Sequence, residues 1–141
     1  MSVVKLESLD WSIGTGKPLA VIAGLNVLED MDLAITVGTE LKSLCAKLGL
    51  PYIFKASIDK ANRSSIKSYR GPGFETGIPM LAEIKQELGV GICTDLHEPE
   101  QADAVAKVAD LVQLPAFLVR QTDLVVATAK AVDAHGKVIH A

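Results

Sequence analysis

Aromatic residues make up only 4% of this 141-residue chain, cysteines number two, and no apolar run approaches the ~20 residues that cross a bilayer. Each shortage closes off a class of protein. Cys45 and Cys93 are spaced neither for a disulfide framework nor for a metal knuckle, so both read as buried, reduced thiols. The opening Met1-Ser2-Val3-Val4-Lys5-Leu6-Glu7 has neither the basic start nor the apolar middle of a secretory leader. Together these point to a cytoplasmic protein without a membrane partner. Positive charge is also in short supply. A net charge of −3 and a pI of about 5.6 argue against a nucleic-acid partner. What the chain has instead is Val, Ile, Leu and Ala. A hydrophobic content of 49% with a mean hydropathy of +0.30 suits strands buried on both faces beneath helices. The length fits about one domain, able to bury roughly two-thirds of its unfolded surface.

Short apolar runs alternate with helical patterns. Leu19 to Ala23 reads as a strand ended by Gly24. Asp32 to Leu48 reads as a helix with Leu33, Val37, Leu41, Leu44, Cys45 and Leu48 on one face, stopped by Gly49 and Pro51. Tyr52 to Ala56 is a second strand. A helix from Gly77 to Leu88 follows, and Pro79 is tolerable only in its first turn. Gly91 to Thr94, a helix from Pro99 to Val108, Leu111 to Leu114 and a helix from Thr122 to Val132 complete four units, and Lys137 to His140 could start a fifth strand. Val3 to Ile13 with Gly14-Thr15-Gly16 suggests a hairpin closed by a turn, with Trp11 as its packing residue. Repeated strand-helix alternation implies an α/β fold with a parallel sheet. Pattern alone favours an open, doubly wound sheet, because four strands cannot close a barrel that usually takes about 250 residues. In either architecture ligands gather at the C-terminal ends of the strands. Asn26, Lys55, Ser57, Asp95 and Gln113 all stand there, too regular a set for core filling.

The segment after the second strand is the richest in chemistry. Lys55, Lys60, Arg63, Lys67 and Arg70 face a single acid, Asp59, a local balance of +4 that leaves −7 for the remainder. Lysine offers a mobile point charge, arginine a planar fork, and Ser57, Asn62 and Ser64 neutral donors. Such a set at a strand end reads as a pocket for phosphate and carboxylate groups, against the plainer reading of a solvated basic loop. His97, between Asp95 and Glu98, reads as part of a loop leading into the helix at Pro99, since three metal ligands within four residues make awkward geometry. His135 and His140 receive no role.

Taken in order, Ala23-Gly24-Leu25-Asn26-Val27-Leu28-Glu29, the Phe54 to Ser65 stretch with its Lys-Ala-Asn-Arg-Ser-Ser run, Tyr69-Arg70-Gly71-Pro72-Gly73, Thr94-Asp95-Leu96-His97-Glu98, Gln113-Leu114-Pro115-Ala116-Phe117 and Arg120-Gln121-Thr122-Asp123-Leu124 closely resemble the 3-deoxy-D-manno-octulosonate 8-phosphate synthases. That family also holds the deoxyheptulosonate phosphate synthases. The likeness runs from about Leu19 to Lys130. It implies a (β/α)8 barrel of the TIM type, here one partial synthase domain over 1–141 with about the first four βα units and an N-terminal hairpin. It also implies a homo-oligomer, a tetramer in the family. The implied reaction condenses phosphoenolpyruvate with D-arabinose 5-phosphate and releases phosphate, in making the sugar that joins lipid A to the lipopolysaccharide core.

By the same resemblance, Lys55, Ser57, Lys60 and Gln113 would hold phosphoenolpyruvate, and Asn62, Arg63 and Ser64 the pentose phosphate. Arg120 would reach a phosphate in a neighbouring subunit's site, and Asp95 would contact the sugar near its reacting carbonyl. Either Lys60 or a bound water would manage protons. Metal-dependent members carry a cysteine where this chain has Asn26. An amide is a poor transition-metal ligand beside a thiolate, so Asn26, counted with Lys60 and Asp95 among the catalytic groups, implies the metal-independent class with no cofactor. After Lys130 the likeness stops. Residues 131–141 lack the family's fifth-strand lysine context, and Lys137 does not inherit that role. Four units alone would leave two sheet edges and an apolar interior unpaired. The alternatives are therefore a synthase and a truncated, non-catalytic anion-binding fragment that associates with a full-length one. An open-sheet domain of the receiver or flavodoxin kind ranks last, because Gly24-Leu25-Asn26-Val27 is neither an acidic cluster nor a phosphate loop.

Overall fold

The protein is described by a computed structural model covering residues 3–141. Met1 and Ser2, the first two residues of the segment read above for a leader, lie outside the described residues. The chain opens with an antiparallel hairpin, β1 (Val4–Leu6) and β2 (Trp11–Ile13), pairing Leu6 with Trp11 across one turn of 3-10 helix, Glu7–Leu9. Then come β3 (Val21–Leu25), α1 (Met31–Leu48), β4 (Tyr52–Ala56), α2 (Phe74–Leu88) and β5 (Gly91–Asp95). A 3-10 turn at Pro99–Gln101 runs into α3 (Ala102–Val108), followed by β6 (Leu111–Gln113), α4 (Thr122–Ala134) and β7 (Val138–His140). No described helix is long and apolar enough to cross a membrane.

The five strands β3 to β7 form one parallel sheet in sequential order. The doubly wound arrangement favoured by pattern alone is not adopted. Its strand order must reverse at a switch point so that helices cover both faces, whereas here α1 packs on α2, α2 on α3 and α3 on α4 along one face. Right-handed crossovers between strands added always on the same side produce this result. The helix-covered face carries the main core, with Phe54, Ala56, Ile92 and Val112 packed under Leu81, Ile84, Leu88, Val105 and Leu124. Residues of the opposite parity face away from the helices. Ile53, Cys93 and Leu111 meet Leu6, Leu9, Trp11 and Ile13 of the hairpin there, so Trp11 packs as expected.

The register of β3 differs from the expected Leu19–Ala23. The strand runs through Gly24, which pairs with Lys55, and a Cβ at Gly24 would collide with the Lys55 carbonyl. Glycine is thus required by the close approach of two strands rather than by a strand end. Helix α1 buries Ala34, Gly38 and Cys45, while Leu33, Leu44 and Leu48 are exposed. Of the expected face, Cys45 is buried and Leu41 packs against the core, but the remaining leucines miss by part of a turn because the helix approaches its neighbours closely. A Cβ at Gly38 would meet side-chain atoms of Leu88 and Phe54. Helix α2 begins at Phe74, so Pro79 lies beyond the first turn, on an exposed surface. There water can serve the carbonyl that proline leaves without an intrahelical donor.

One end of the sheet is held by ions. The carboxylate of Asp110, fully buried just before β6, accepts from Lys85 of α2 at 2.9 Å, from Lys137 at 3.0 Å and from the Ile92 amide at 3.0 Å. Burial opposes its ionisation, but these donors together with Ser8 hold the carboxyl below the ordinary range. Lys137 therefore lies at the N-terminal end of the strands.

Candidate functional site

The opposite, C-terminal end collects the polar residues. Alternation along β4 puts Lys55 and the following Ser57 on the face away from the helices, and the registers Lys55 with Cys93 and Asp95 with Gln113 bring the neighbouring strands alongside. The Lys55 ammonium donates to Asp95 Oδ1 at 2.8 Å and to Ser57 Oγ at 2.9 Å, and the Ser57 hydroxyl donates to the same carboxylate oxygen. The other oxygen of Asp95 lies 3.3 Å from His97 Nε2. Burial works against the Asp95 charge, yet hydrogen bonds from His97, Lys55 and Ser57 and the Lys55 charge outweigh it, holding the carboxyl well below the usual range. Between Lys55 and the hairpin, burial pushes the Cys93 thiol up to about 12, which makes it inert at neutral pH.

Over this cluster lies a small cavity of about 180 Å³, lined among others by Asp59, Lys60, Asn62, Asp95, Gln113 and Phe117. Lys55 and Ser57 do not line it; both bond to Asp95, which does. Lys60 is partly buried, and desolvation together with the charges of Lys55 and Arg63 lowers its pKa, though Asp95 opposes the shift. A larger cleft of about 460 Å³ lies at the other end, near Trp11, Tyr52 and Val90. Its two lysines are already partnered, Lys42 by the Leu88 carbonyl and Lys85 by the Val108 carbonyl and Asp110, so it lacks the convergent charge of the smaller cavity.

The structure thus brings together Lys55, Ser57, Lys60, Asn62, Asp95 and Gln113. Asn26 stands one residue beyond β3, exposed, at the same end but outside the cavity lining. Arg63 and Ser64 lie on the exposed run after Lys60, where Arg63 Nε donates to the Tyr69 carbonyl at 3.1 Å. Arg120 is exposed between β6 and α4 and does not line the cavity. Sequence reasoning missed Asp59 and Phe117 as lining residues and read His97 only as a lead-in to a helix. His97 does precede the Pro99 turn, but it is also two residues past Asp95 in extended chain, and that spacing places both on one side. Among the described residues no three His, Cys, Asp or Glu side chains are grouped to hold a metal ion.

The profile of the DAHP synthetase I family matches residues 2–134. A protein of Pseudomonas fluorescens strain SBW25, named 2-dehydro-3-deoxyphosphooctonate aldolase, is 59% identical over 121 residues, which is 86% of this chain and 43% of that protein. Proteins of the same name from Shewanella amazonensis and Parasynechococcus marenigrum are 52% and 51% identical over 130 residues, 92% of this chain and 46% of theirs. The chain spans less than half the length of these curated relatives.

Proposed function

The chain belongs to the DAHP synthetase I family, and on that premise we propose that its site serves the condensation of phosphoenolpyruvate with D-arabinose 5-phosphate to 3-deoxy-D-manno-octulosonate 8-phosphate. The observation that carries this reading is the joining of Lys55, Ser57 and Asp95 beneath a cavity lined by Lys60, Asn62 and Gln113. Both substrates are anionic, and two anions can be held at reacting distance only where cations offset their repulsion. In this reading Lys55, Ser57, Lys60 and Gln113 take phosphoenolpyruvate. Asn62, Arg63 and Ser64 take the pentose phosphate, with Arg120 completing a neighbouring subunit's site, and Asp95 orients the sugar beside its aldehyde. The enol carbon attacks the aldehyde, water adds to the cationic carbon this leaves, and phosphate departs. The lowered pKa of Lys60 eases the loss of its proton, as a group that passes one requires. Asn26 in place of a thiolate fits a metal-free site. The parallel sheet in sequential order suits part of a (β/α)8 barrel, and in this reading the chain is a single cytoplasmic synthase domain that assembles as a homo-oligomer.

Binding by this chain tests the reading. Charge-assisted hydrogen bonds contribute about 1.5–3 kcal/mol each, so two or three give roughly millimolar affinity after the cost of association. Calorimetry should find roughly millimolar binding of arabinose 5-phosphate, lost in Arg63→Ala, with no condensation by the 141-residue chain alone. Absence of saturable binding at concentrations about tenfold higher would sink the assignment.

A further inference from the structure

Three successive loops meet at one imidazole. His97, after β5, has Nε2 3.3 Å from Asp95 and Nδ1 3.7 Å from Asp59 Oδ2, and its ring centroid lies 6.4 Å from that of Phe117. Asp59 opens the segment after β4, and Phe117 belongs to the segment after β6. On its other side Asp59 accepts both arms of Arg70, Nε at 2.8 Å and Nη2 at 2.6 Å. Arg70 ends the exposed run that follows Lys60, and its carbonyl accepts the Lys60 amide at 2.7 Å. Just outside, the Gly73 amide bonds to the Ile58 carbonyl at 3.1 Å and the Tyr69 hydroxyl to the Leu28 carbonyl at 3.1 Å. Gly71, at φ +124, passes so close to Ile58 that a Cβ would strike its carbonyl. The run carrying Lys60, Asn62 and Arg63 is therefore cinched at its base, and the His97 ring lies between that cinch and the buried carboxylate, 3.7 Å from Asp59 and 3.3 Å from Asp95. Arg70 beside Asp59 holds that carboxyl below its ordinary range, so it is charged at neutral pH. An isolated surface pair can be deleted with little effect. This one differs because its acid is shared by two partners from different loops.

We propose that Asp59 is a positioning residue, the joint through which Arg70 and His97 hold the 60–70 run in register with Asp95. The ligand that this register serves rests on the reading above; the joint itself does not. The experiment uses the whole chain, with Asp59→Asn, Arg70→Lys, which keeps the charge but loses the fork, and Asp59→Glu as the conservative rescue. Hydrogen exchange followed by NMR should show the Lys60 amide exchanging about fivefold faster in the first two variants, with the Ile92 amide of β5 unchanged. The His97 ring resonances should shift in Asp59→Asn, and affinity for arabinose 5-phosphate should fall by a similar factor. Asp59→Glu should restore both exchange protection and affinity. Wild-type protection at Lys60 in both disruptive variants overturns the proposal, as does wild-type affinity in Asp59→Asn. Should the wild-type chain fail to bind arabinose 5-phosphate, the functional reading falls, and Lys60 exchange alone decides the joint: protection lost supports it, protection kept overturns it.

Discussion

Asp95 is the most constrained residue of the candidate site. Its side chain is 8% exposed and its ammonium partner Lys55 18%, so water screens the pair little. Removing one member of a buried pair costs about 3–5 kcal/mol, because the other charge remains in the low-dielectric interior. Asp95→Asn should fall at or just below the low end of that range, since Lys55 keeps Ser57 as a partner. The folded-state pKa of Asp95 lies below the unfolded value, so its stabilisation is complete above about pH 4 and fades as pH drops toward the lower folded value. Urea unfolding at neutral and acid pH should therefore show Asp95→Asn less stable than wild type at pH 7 and less sensitive to acid below about pH 4. An acid limb identical to wild type would contradict this. At this scale much of the site was legible. Lys55, Ser57, Asp95 and Gln113 stand out because polar residues just where apolar strands end have few reasons to be there. Asp59 was visible only as the odd acid in a basic run, and nothing local told that Arg70, eleven residues on, would fold back onto it.

Among the elements, the strands and helices emerged near their expected places, but the buried face of α1 did not. Leucines spaced at helical intervals look like a core stripe, yet close packing against Phe54 and Leu88 gives that place to Ala34 and Gly38. Hydrophobicity marks what can be buried; it does not mark how near two elements come. Leu44→Gln and Leu48→Gln should each change the unfolding free energy by less than about 0.5 kcal/mol, while Ile84→Ala, on the buried face of α2, should cost about 2–5 kcal/mol. Comparable losses at Leu44 and Ile84 in denaturant titrations would restore the leucine face. Pro79 teaches a similar lesson, since helix starts are set by what precedes them. Gly73, at φ +82, lets α2 begin three residues ahead of the expected Gly77, and the proline is carried inside.

Across the whole molecule, the two ends of the sheet each hold a buried carboxylate with lysine partners, and apolar residues of β4, β5 and β6 separate them. Strand order could not be read from alternation, because alternation is common to sheets that reverse and sheets that do not. With the order known, the ends separate by task. Asp110→Asn should lower the thermal midpoint by several degrees, as loss of a paired buried charge implies, without altering affinity for arabinose 5-phosphate. A matched fall in affinity, measured by calorimetry well below the midpoint, would show the ends to be coupled. The Lys55–Asp95 bond itself has a consequence for admission. Each of these groups serves as the other's partner. An anion that draws Lys55 away leaves Asp95 beside the Ser57 hydroxyl and the His97 ring. On the proposed reading, the guest that takes up Lys55 thereby uncovers a carboxylate oxygen of Asp95 for the hydroxyls of the second, so the first arrival prepares the place of the next.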